Sequence, residues 1–258
     1  MKRKSMGAMI LSAAVALGAA GCHPPGKPGF RPETLRPDQT LKFEVLYKNN
    51  CSACHGDQGL SGAALPMDNP VYLAWAGHDR LVQIVSNGVP NTLMPAFAYS
   101  GGGFLSDQQV ENIVNGMISN WGKSGASDAA NAPGYAPTSK GDVAAGKAAF
   151  QMHCARCHGD DGQGLSPGAA KPAHAAAGSI VDPTFLSLVS DQGLRDIVVS
   201  GLPGEGMPDW RGDGTAKPMT DKDVTDVVAW LTSHRVQFPG QPFPGSPAVS
   251  AEQPARGK

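Results

Sequence analysis

The sequence predicts an all-α fold in which two similar helical domains follow one another along the chain. A pentad of two cysteines and a histidine occurs twice, as CSACH from Cys51 and as CARCH from Cys154. Two further pairs of similar segments, LVQIVSNGVP with LRDIVVSGLP and LSDQQVENIV with MTDKDVTDVV, follow the pentads in the same order. Their apolar residues recur every three or four positions, as on one buried helix face, and neither copy shows the sustained alternation of a strand.

Each copy is predicted to contain the same elements in the same order. A short helix precedes the pentad, and a glycine-rich loop follows it. A middle helix then ends at Gly88 in the first copy and at Gly201 in the second. A loop with a methionine leads to a strongly amphipathic last helix, which begins at a capping box of Ser106 and Gln109. In the first copy we expect the short helix over residues 41–49 and the middle helix over about 79–87. In the second copy we expect them over 143–153 and about 192–200. The last helix of the second copy is expected to begin at Thr220 and Asp223.

The segments around and between the two copies lack apolar periodicity and are rich in Gly, Ala, Ser and Pro. A chain of 258 residues is long enough for two small domains. We expect residues 1–21 to be an export signal, 22–39 a flexible tether, 40–121 the first domain, 122–139 a linker, 140–236 the second domain and 237–258 a disordered tail.

The spacing within the pentad is that of a covalent haem attachment site. Each cysteine thiol can add to one vinyl group of the porphyrin, and the histidine directly behind can bind the iron. A zinc site would need a second pair of ligands, and a thiol redox pair would leave the histidine unexplained. The sequence therefore predicts two covalently bound haem c groups, attached through Cys51, Cys54, Cys154 and Cys157, with His55 and His158 as iron ligands.

The first residues, MKRKSMGAMILSAAVALGAAGC, combine a basic start, an apolar run and small residues before Cys22. This pattern predicts export, and an uncleaved membrane anchor is the alternative. The small residues resemble a bacterial lipoprotein signal, although Ala19 stands where that family usually has leucine. The resemblance implies an acylated Cys22 that anchors the protein on the periplasmic side of a membrane, with a Pro- and Gly-rich spacer behind it.

The net charge gives no indication of a nucleic-acid surface. The formal charge is -1 for the whole chain, and it becomes -4 without residues 1–21 because Lys2, Arg3 and Lys4 leave with the signal. A modestly acidic exterior weakly favours protein partners with a basic docking patch. All five cysteines already have a predicted role, so no disulfide is expected.

The identity of a second axial ligand separates electron carriers from catalysts, because an open iron face can bind oxygen or peroxide. Met94 in NTLMPAF and Met207 in GEGMPDW occupy equivalent places in the repeat. Each is followed directly by proline, and an aromatic residue stands two positions after that proline. We predict that both methionines bind iron; the alternative is that they are apolar fillers. The weaker candidates, expected to be packing or surface residues, are Met67, Met219, His78 and His174.

With these motifs both halves resemble class I cytochrome c domains. The resemblance implies N- and C-terminal helices that cross at a glycine packed against an aromatic residue. The second copy has Gly146 and Trp230 at these places, whereas the first has Phe43 and Gly116. We therefore expect that the large and small partners of the first copy have changed sides, which keeps their combined volume roughly constant.

The same resemblance implies a loop carbonyl that accepts a hydrogen bond from the proximal imidazole. Pro66 and Pro172 lie in comparable stretches after the two pentads and are the candidates.

The predicted function is the transfer of single electrons between exported or membrane-bound redox proteins, without catalytic residues and without a small-molecule substrate. The chain could be a free dihaem carrier or a fixed subunit of a respiratory complex or of a dehydrogenase. The alternative is an enzyme similar to dihaem cytochrome c peroxidases, which also carry two such pentads. That reading needs a haem with an open site, and the two methionine loops argue against it.

Overall fold

The computed structural model describes residues 35–90, 92–122, 129–165 and 178–236. The chain divides into two compact units, Met1–Gln39 and Thr40–Lys258. The described part of the first unit holds a single turn of 3-10 helix, Pro37–Gln39. The predictions for the export signal, Cys22, most of the tether, Pro172, His174 and the tail lie outside the described residues.

The second unit is helical, which confirms the predicted all-α fold. Its described residues form no strand, and two isolated bridges are their only β-type pairing. No helix in the described ranges has the length and apolar character needed to span a membrane. The first copy contains α1 (Phe43–Asn50), α2 (Ser52–His55), α3 (Pro70–Ala76), α4 (His78–Asn87) and α5 (Asp107–Trp121), and the second contains α6 (Val143–His153), α7 (Ala155–His158), α8 (Pro183–Leu188), α9 (Asp191–Ser200) and α10 (Asp221–Thr232).

The last helix of each copy begins at the predicted capping box. The Ser106 hydroxyl accepts a hydrogen bond from the backbone N–H of Gln109, whose side chain accepts one from the Ser106 N–H. Thr220 and Asp223 form the same reciprocal pair at the start of α10. Each box satisfies two backbone donors that the first helical turn would otherwise leave without a partner.

Two helices, α3 and α8, were not predicted from the sequence. Each has proline at its first position and a capping side chain just before it, Asn69 for α3 and Asp182 for α8. The local signal was therefore present, since proline is favoured at the first helical position and Asn or Asp at the cap. Both helices are short, with seven and six residues, and too short to show apolar periodicity.

The buried apolar side chains form two separate clusters, one in each copy. Trp75 is partly buried against both clusters. Among the core residues of the first copy are Leu46, Tyr47, Leu73, Leu81, Val110, Ile113, Val114 and Met117. Among those of the second are Phe150, Leu186, Leu194, Val199, Val224, Val227, Trp230 and Leu231.

The crossing of the first and last helices confirms the expected change of sides. In the second copy a Cβ on Gly146 would lie 2.0 Å from the Asp226 carbonyl oxygen and 2.8 Å from the Cβ of Trp230, so the close approach of α6 and α10 at this point requires glycine. In the first copy a Cβ on Gly116 would overlap the ring of Phe43. The Phe43 ring also packs edge-on against Trp121, with 5.5 Å between ring centroids.

The described part of the linker, residues 129–139, packs against both copies, unlike the unstructured connection that its composition suggests. Trp75 of the first copy donates its indole N–H to the carbonyl of Pro133 at 2.6 Å. The ring of Tyr135 lies 4.8 Å from the ring of Trp75. Arg195 of the second copy donates a hydrogen bond of 3.1 Å to the carbonyl of Tyr135. Linker carbonyls thus satisfy side-chain donors from both copies.

Candidate haem-binding sites

Each pentad forms one helical turn that brings its three reactive side chains to one face. The Cys51 carbonyl accepts hydrogen bonds from the N–H groups of Cys54 and His55, at 3.2 and 3.0 Å. Residues three and four positions apart share a face of a helix, so both thiols and the imidazole point the same way. The second pentad repeats this turn, with hydrogen bonds of 3.1 and 3.0 Å from Cys157 and His158 to the Cys154 carbonyl.

The cysteines of the pentads form no disulfide, and the first cysteine of each pentad has a raised pKa. All four are free thiols in the structure. Burial, with a smaller effect of the neighbouring cysteine, raises the pKa of Cys51 to about 12 and that of Cys154 to about 12. Reactive thiol pairs instead need a lowered pKa. The described residues also contain no group of three or more His, Cys, Asp or Glu that could hold a metal ion such as zinc.

The first proximal histidine is oriented by a backbone carbonyl. His55 Nδ1 lies 2.7 Å from the carbonyl oxygen of Leu65, so Nδ1 carries the proton and Nε2 is left free to bind iron. Burial lowers the pKa of His55, and this hydrogen bond opposes the shift. The carbonyl belongs to Leu65 rather than to Pro66, the candidate named from the sequence. Every residue has a backbone carbonyl, so the residue type does not show which one accepts; the path of the loop decides it.

The second proximal histidine lacks such a partner within the described ranges. His158 Nδ1 is buried without a hydrogen bond there, and burial lowers the pKa of His158. The corresponding candidate, Pro172, lies outside the described residues.

A glycine packs against the methionine loop in both copies. Gly88 and Gly201 each follow a middle helix and have a φ of +68°, which favours glycine over residues with a side chain. A Cβ on Gly88 would lie 2.6 Å from the carbonyl oxygen of Met94, and one on Gly201 would lie 2.7 Å from that of Met207. The two methionine backbones therefore occupy equivalent positions directly against the end of the middle helix.

The two methionine side chains are half-buried, but their surroundings differ. Met94 packs against the first apolar cluster, as Cys51 does. Met207 lines a cavity of about 520 Å³, which it shares with Asn69 and Val71 of the first copy and with Arg211. The structure brings the cysteines and histidine of each pentad together, and it places each methionine on a separate loop.

Three of the other candidate ligands, Met67, Met219 and His78, have the packing and surface roles expected of them. Met67 and Met219 are buried in the first and second apolar clusters. The ring nitrogens of His78 lie 3.0 Å from Asp79 and 3.0 Å from Glu111 on the surface. His174 lies outside the described residues.

The residues at these sites suit a haem. Two thiols and an imidazole on one helical face match the two vinyl groups and the iron. In the second copy Trp210 Nε1 and Ser179 Oγ are buried without hydrogen-bond partners. A haem carries two propionate carboxylates, which are acceptors of the kind that buried donors require. Sequence reasoning did not identify these two donors, since only burial distinguishes them.

Comparison with protein families assigns both halves to one class. The family described as cytochrome c matches residues 143–235. The family described as cytochrome c oxidase, cbb3-type, subunit III matches residues 38–115. The chain is a tandem c-type cytochrome. Covalently bound haem c and electron transfer through it are properties of this class, and the predicted class and fold are confirmed.

Among the relatives of this cytochrome are an enzyme and several oxidase subunits. The thiosulfate dehydrogenase of Stutzerimonas stutzeri (strain A1501) is 29% identical over 210 residues, which are 76% of this chain and 63% of the relative. The cbb3-type cytochrome c oxidase subunit FixP of Bradyrhizobium diazoefficiens is 25% identical over 194 residues, 72% of this chain and 59% of the relative. The corresponding subunit CcoP of Azospirillum sp. (strain B510) is 31% identical over 130 residues, 46% of this chain and 38% of the relative. The alignments with the first two relatives thus span about three fifths of each relative's length.

Proposed function

We propose that this cytochrome binds two haem c groups, each held by one pentad and each with histidine and methionine as axial ligands. The first haem would take His55 and Met94, and the second His158 and Met207. The observation that supports this proposal is the repeated geometry: one helical turn carries two thiols and an imidazole, and a glycine against each Met-Pro loop fixes the opposite ligand's backbone.

The protein's own groups prepare these sites for reversible electron transfer. Burial keeps His55 and His158 neutral, and a neutral imidazole has the lone pair that iron needs. The Leu65 carbonyl holds the proton on Nδ1 of His55 and thereby directs Nε2 toward the metal side. When bound, the haem supplies the ferrous and ferric states, and a methionine on its other face leaves no position for a substrate.

Optical spectroscopy of the oxidised holoprotein tests the ligand assignment. A methionine sulfur bound to ferric haem gives a weak near-infrared band, so the wild type should show this band from both haems. Met94→Leu and Met207→Leu should each remove about half of its intensity, because one sulfur ligand is lost in each. Met67→Leu, a change within the core, is the matched control and should leave the band intact. If either ligand variant keeps the full band, the assignment for that haem is wrong.

We further propose that the protein acts on the periplasmic side of a bacterial membrane, as a component of a redox complex and anchored through a lipid on Cys22. The oxidase subunits among the relatives support a place in such a complex. Cys22→Ser should move the protein from the membrane to the soluble periplasmic fraction. Equal membrane association of both forms, with no acyl group detected by mass spectrometry, would argue against the lipid anchor.

A second candidate function is oxidation of thiosulfate, because one relative is named a thiosulfate dehydrogenase. In that case thiosulfate itself would reduce the oxidised holoprotein, whereas a pure carrier requires a redox protein as donor. Rapid mixing of the ferric protein with thiosulfate distinguishes the two, since haem reduction is visible in the optical spectrum. Reduction that requires a sixth-ligand change at one haem would favour the enzyme.

A further inference from the structure

We propose that Asn69 of the first domain is a positioning residue for the methionine loop of the second haem. This proposal rests on the proposed function, in which Met207 binds iron. Asn69 makes no hydrogen bond to the haem attachment residues or to Met207. It would act through Ser200 and Gly201, the residues that begin the loop.

The Asn69 side chain is buried between the two copies and all of its polar atoms are used. Its side-chain carbonyl accepts hydrogen bonds from the N–H groups of Val71 and Tyr72, at 3.0 and 3.2 Å, and so caps α3. Its amide donates to the carbonyls of Ser200 and Gly201, at 3.0 Å each. With 1% of the residue exposed, these bonds form out of reach of water, where an unpaired group is costly.

The two carbonyls that Asn69 holds lie at the base of the Met207 loop. Gly201 packs directly against the backbone of Met207 and Pro208. The next residue, Leu202, exchanges two hydrogen bonds with Met207, of 3.0 Å from its own N–H and 3.1 Å to its carbonyl. The ladder that fixes the backbone of Met207 therefore begins at the residue directly after Gly201, whose carbonyl Asn69 holds.

A second residue of the first copy, Leu60, lies near the same loop. A Cβ placed on Gly204 would lie 3.6 Å from a methyl group of Leu60, at ordinary van der Waals distance. Leu60 follows the pentad of the first haem in the chain. The first domain thus contacts the base of the Met207 loop through Asn69 and lies near its outer turn at Leu60.

The equivalent position in the second copy shows what is special about Asn69. Asp182 precedes a proline and caps α8 by accepting from the N–H groups of Thr184 and Phe185, at 2.9 Å each. Asp182 is exposed, and its carboxylate has no hydrogen to donate. Both residues cap a helix, but only the asparagine can also bind the carbonyls of another domain.

This comparison supplies a matched pair of variants. Asn69→Asp keeps the cap, as Asp182 demonstrates, but it removes the donor and places carboxylate oxygens beside the two carbonyls. Asp182→Asn makes the reverse change at an exposed cap. Asn69→Ser also keeps a capping oxygen, and its side chain is too short to reach the second domain.

The experiment uses the ferric holoprotein and two readouts. The first is hydrogen exchange of the segment 200–209, measured by mass spectrometry. The second is the affinity for imidazole, which competes with the methionine for the iron. Loss of the near-infrared band measures this binding, and comparison with Met207→Leu identifies the part of the band that comes from the second haem. For Asn69→Asp and Asn69→Ser we expect faster exchange of this segment and an imidazole affinity at the second haem raised about tenfold, the order of one lost buried hydrogen bond. The first haem and Asp182→Asn should stay within about twofold of the wild type.

The proposal is overturned if both Asn69 variants leave exchange of this segment and imidazole affinity within twofold of the wild type, or if Asp182→Asn has the same effect. Failure of the proposed function looks different, because the near-infrared band would then not respond to Met207→Leu. Hydrogen exchange would still decide whether Asn69 holds the loop. Similar circular dichroism of all variants excludes loss of the fold as the cause.

Discussion

Asp196 is a carboxylate that the fold places between the two copies, where water has little access. It is 7% exposed, and burial raises its pKa to about 6. The only side-chain hydrogen bond to its carboxylate among the described residues comes from Gln192, at 2.8 Å. Tyr72 of the first copy and Tyr135 of the linker also face it, and the charge of the neighbouring Arg195 favours ionisation.

This burial predicts a pH dependence of stability with a definite sign. Because the folded pKa lies above the unfolded value of 3.8, ionisation is disfavoured in the folded protein, and stability should fall as pH rises from about 4 to about 6. The whole effect amounts to about 3 kcal/mol at most. Asp196→Asn keeps an acceptor for Gln192 and should remove this slope, so that the variant gains stability relative to the wild type above pH 6.

Denaturant unfolding of both proteins at pH 4.5 and pH 7 measures the difference in slope. Asp160→Asn removes a charge from the exposed surface and is the control for net charge. A stability difference between Asp196→Asn and wild type that is the same at both pH values would show that Asp196 ionises normally in the folded protein.

At this scale the sequence predicted residues that belong to a motif and missed those that depend on the path of the chain. The cysteines and histidines of the pentads carry their spacing with them, and the structure places them on one face. The acceptor for His55 was predicted at Pro66 but belongs to Leu65, because any residue's carbonyl can serve. The amide of Asn69 contacts residues more than 130 positions away, a separation at which no local pattern operates.

Helix pairs show how much of an element's packing follows from pattern. The amphipathic stripe of α5 and its capping box predicted its start, its buried face and its end near Trp121. The expected reversal of glycine and aromatic residue at the α1–α5 crossing is also present. Helices α3 and α8 escaped prediction because six or seven residues give fewer than two full turns, too few for periodicity to be distinguished from chance.

The α1–α5 crossing gives a prediction at the scale of elements. Phe43→Gly should destabilise the first domain by roughly 3 kcal/mol, since an aromatic ring is removed from a tight helix contact. Adding Gly116→Phe to Phe43→Gly should recover part of this loss, because it restores the arrangement of the second copy. Gly116→Phe alone should lower stability more than Phe43→Gly or the double variant, because the new side chain would overlap the Phe43 ring.

Thermal and denaturant unfolding of the four proteins gives the coupling free energy between the two positions. Strictly additive losses would mean that the two side chains do not share one space. A loss near zero for Phe43→Gly alone would likewise reject the idea that volume has been moved from one helix to the other.

The linker, which composition alone identifies as a loose connection, joins the two copies in addition to the direct bonds of Asn69. Tyr135 packs against Trp75 with the rings tilted by 39°, and it lies under the guanidinium of Arg80 with 4.3 Å between its ring centroid and Cζ. Its carbonyl accepts from Arg195 of the second copy. A segment rich in glycine, alanine and proline is predicted to be flexible. In this linker, backbone carbonyls accept hydrogen bonds from side chains of both copies. The linker sequence alone does not predict these bonds, because the donors lie elsewhere in the chain.

Tyr135→Ser should uncouple the two copies without removing the backbone carbonyls that the second copy binds. We expect a loss of about 2 kcal/mol in coupling, from the aromatic pair with Trp75 and the cation contact with Arg80. Unfolding followed separately by haem absorbance and by tryptophan fluorescence should change from one shared transition to two. Tyr99→Ser, at a tyrosine that is 63% exposed, should leave the transition single. Coincident transitions in Tyr135→Ser would show that this side chain does not join the copies.

The difference between the two helix caps also limits how this architecture can grow. Asp182 occupies the place in the second copy that Asn69 occupies in the first, and a carboxylate offers no hydrogen to a neighbour's carbonyl. A third copy placed behind the second would therefore find no donor at that cap. The order of the two copies along the chain therefore cannot be reversed without losing the bond that Asn69 makes between them.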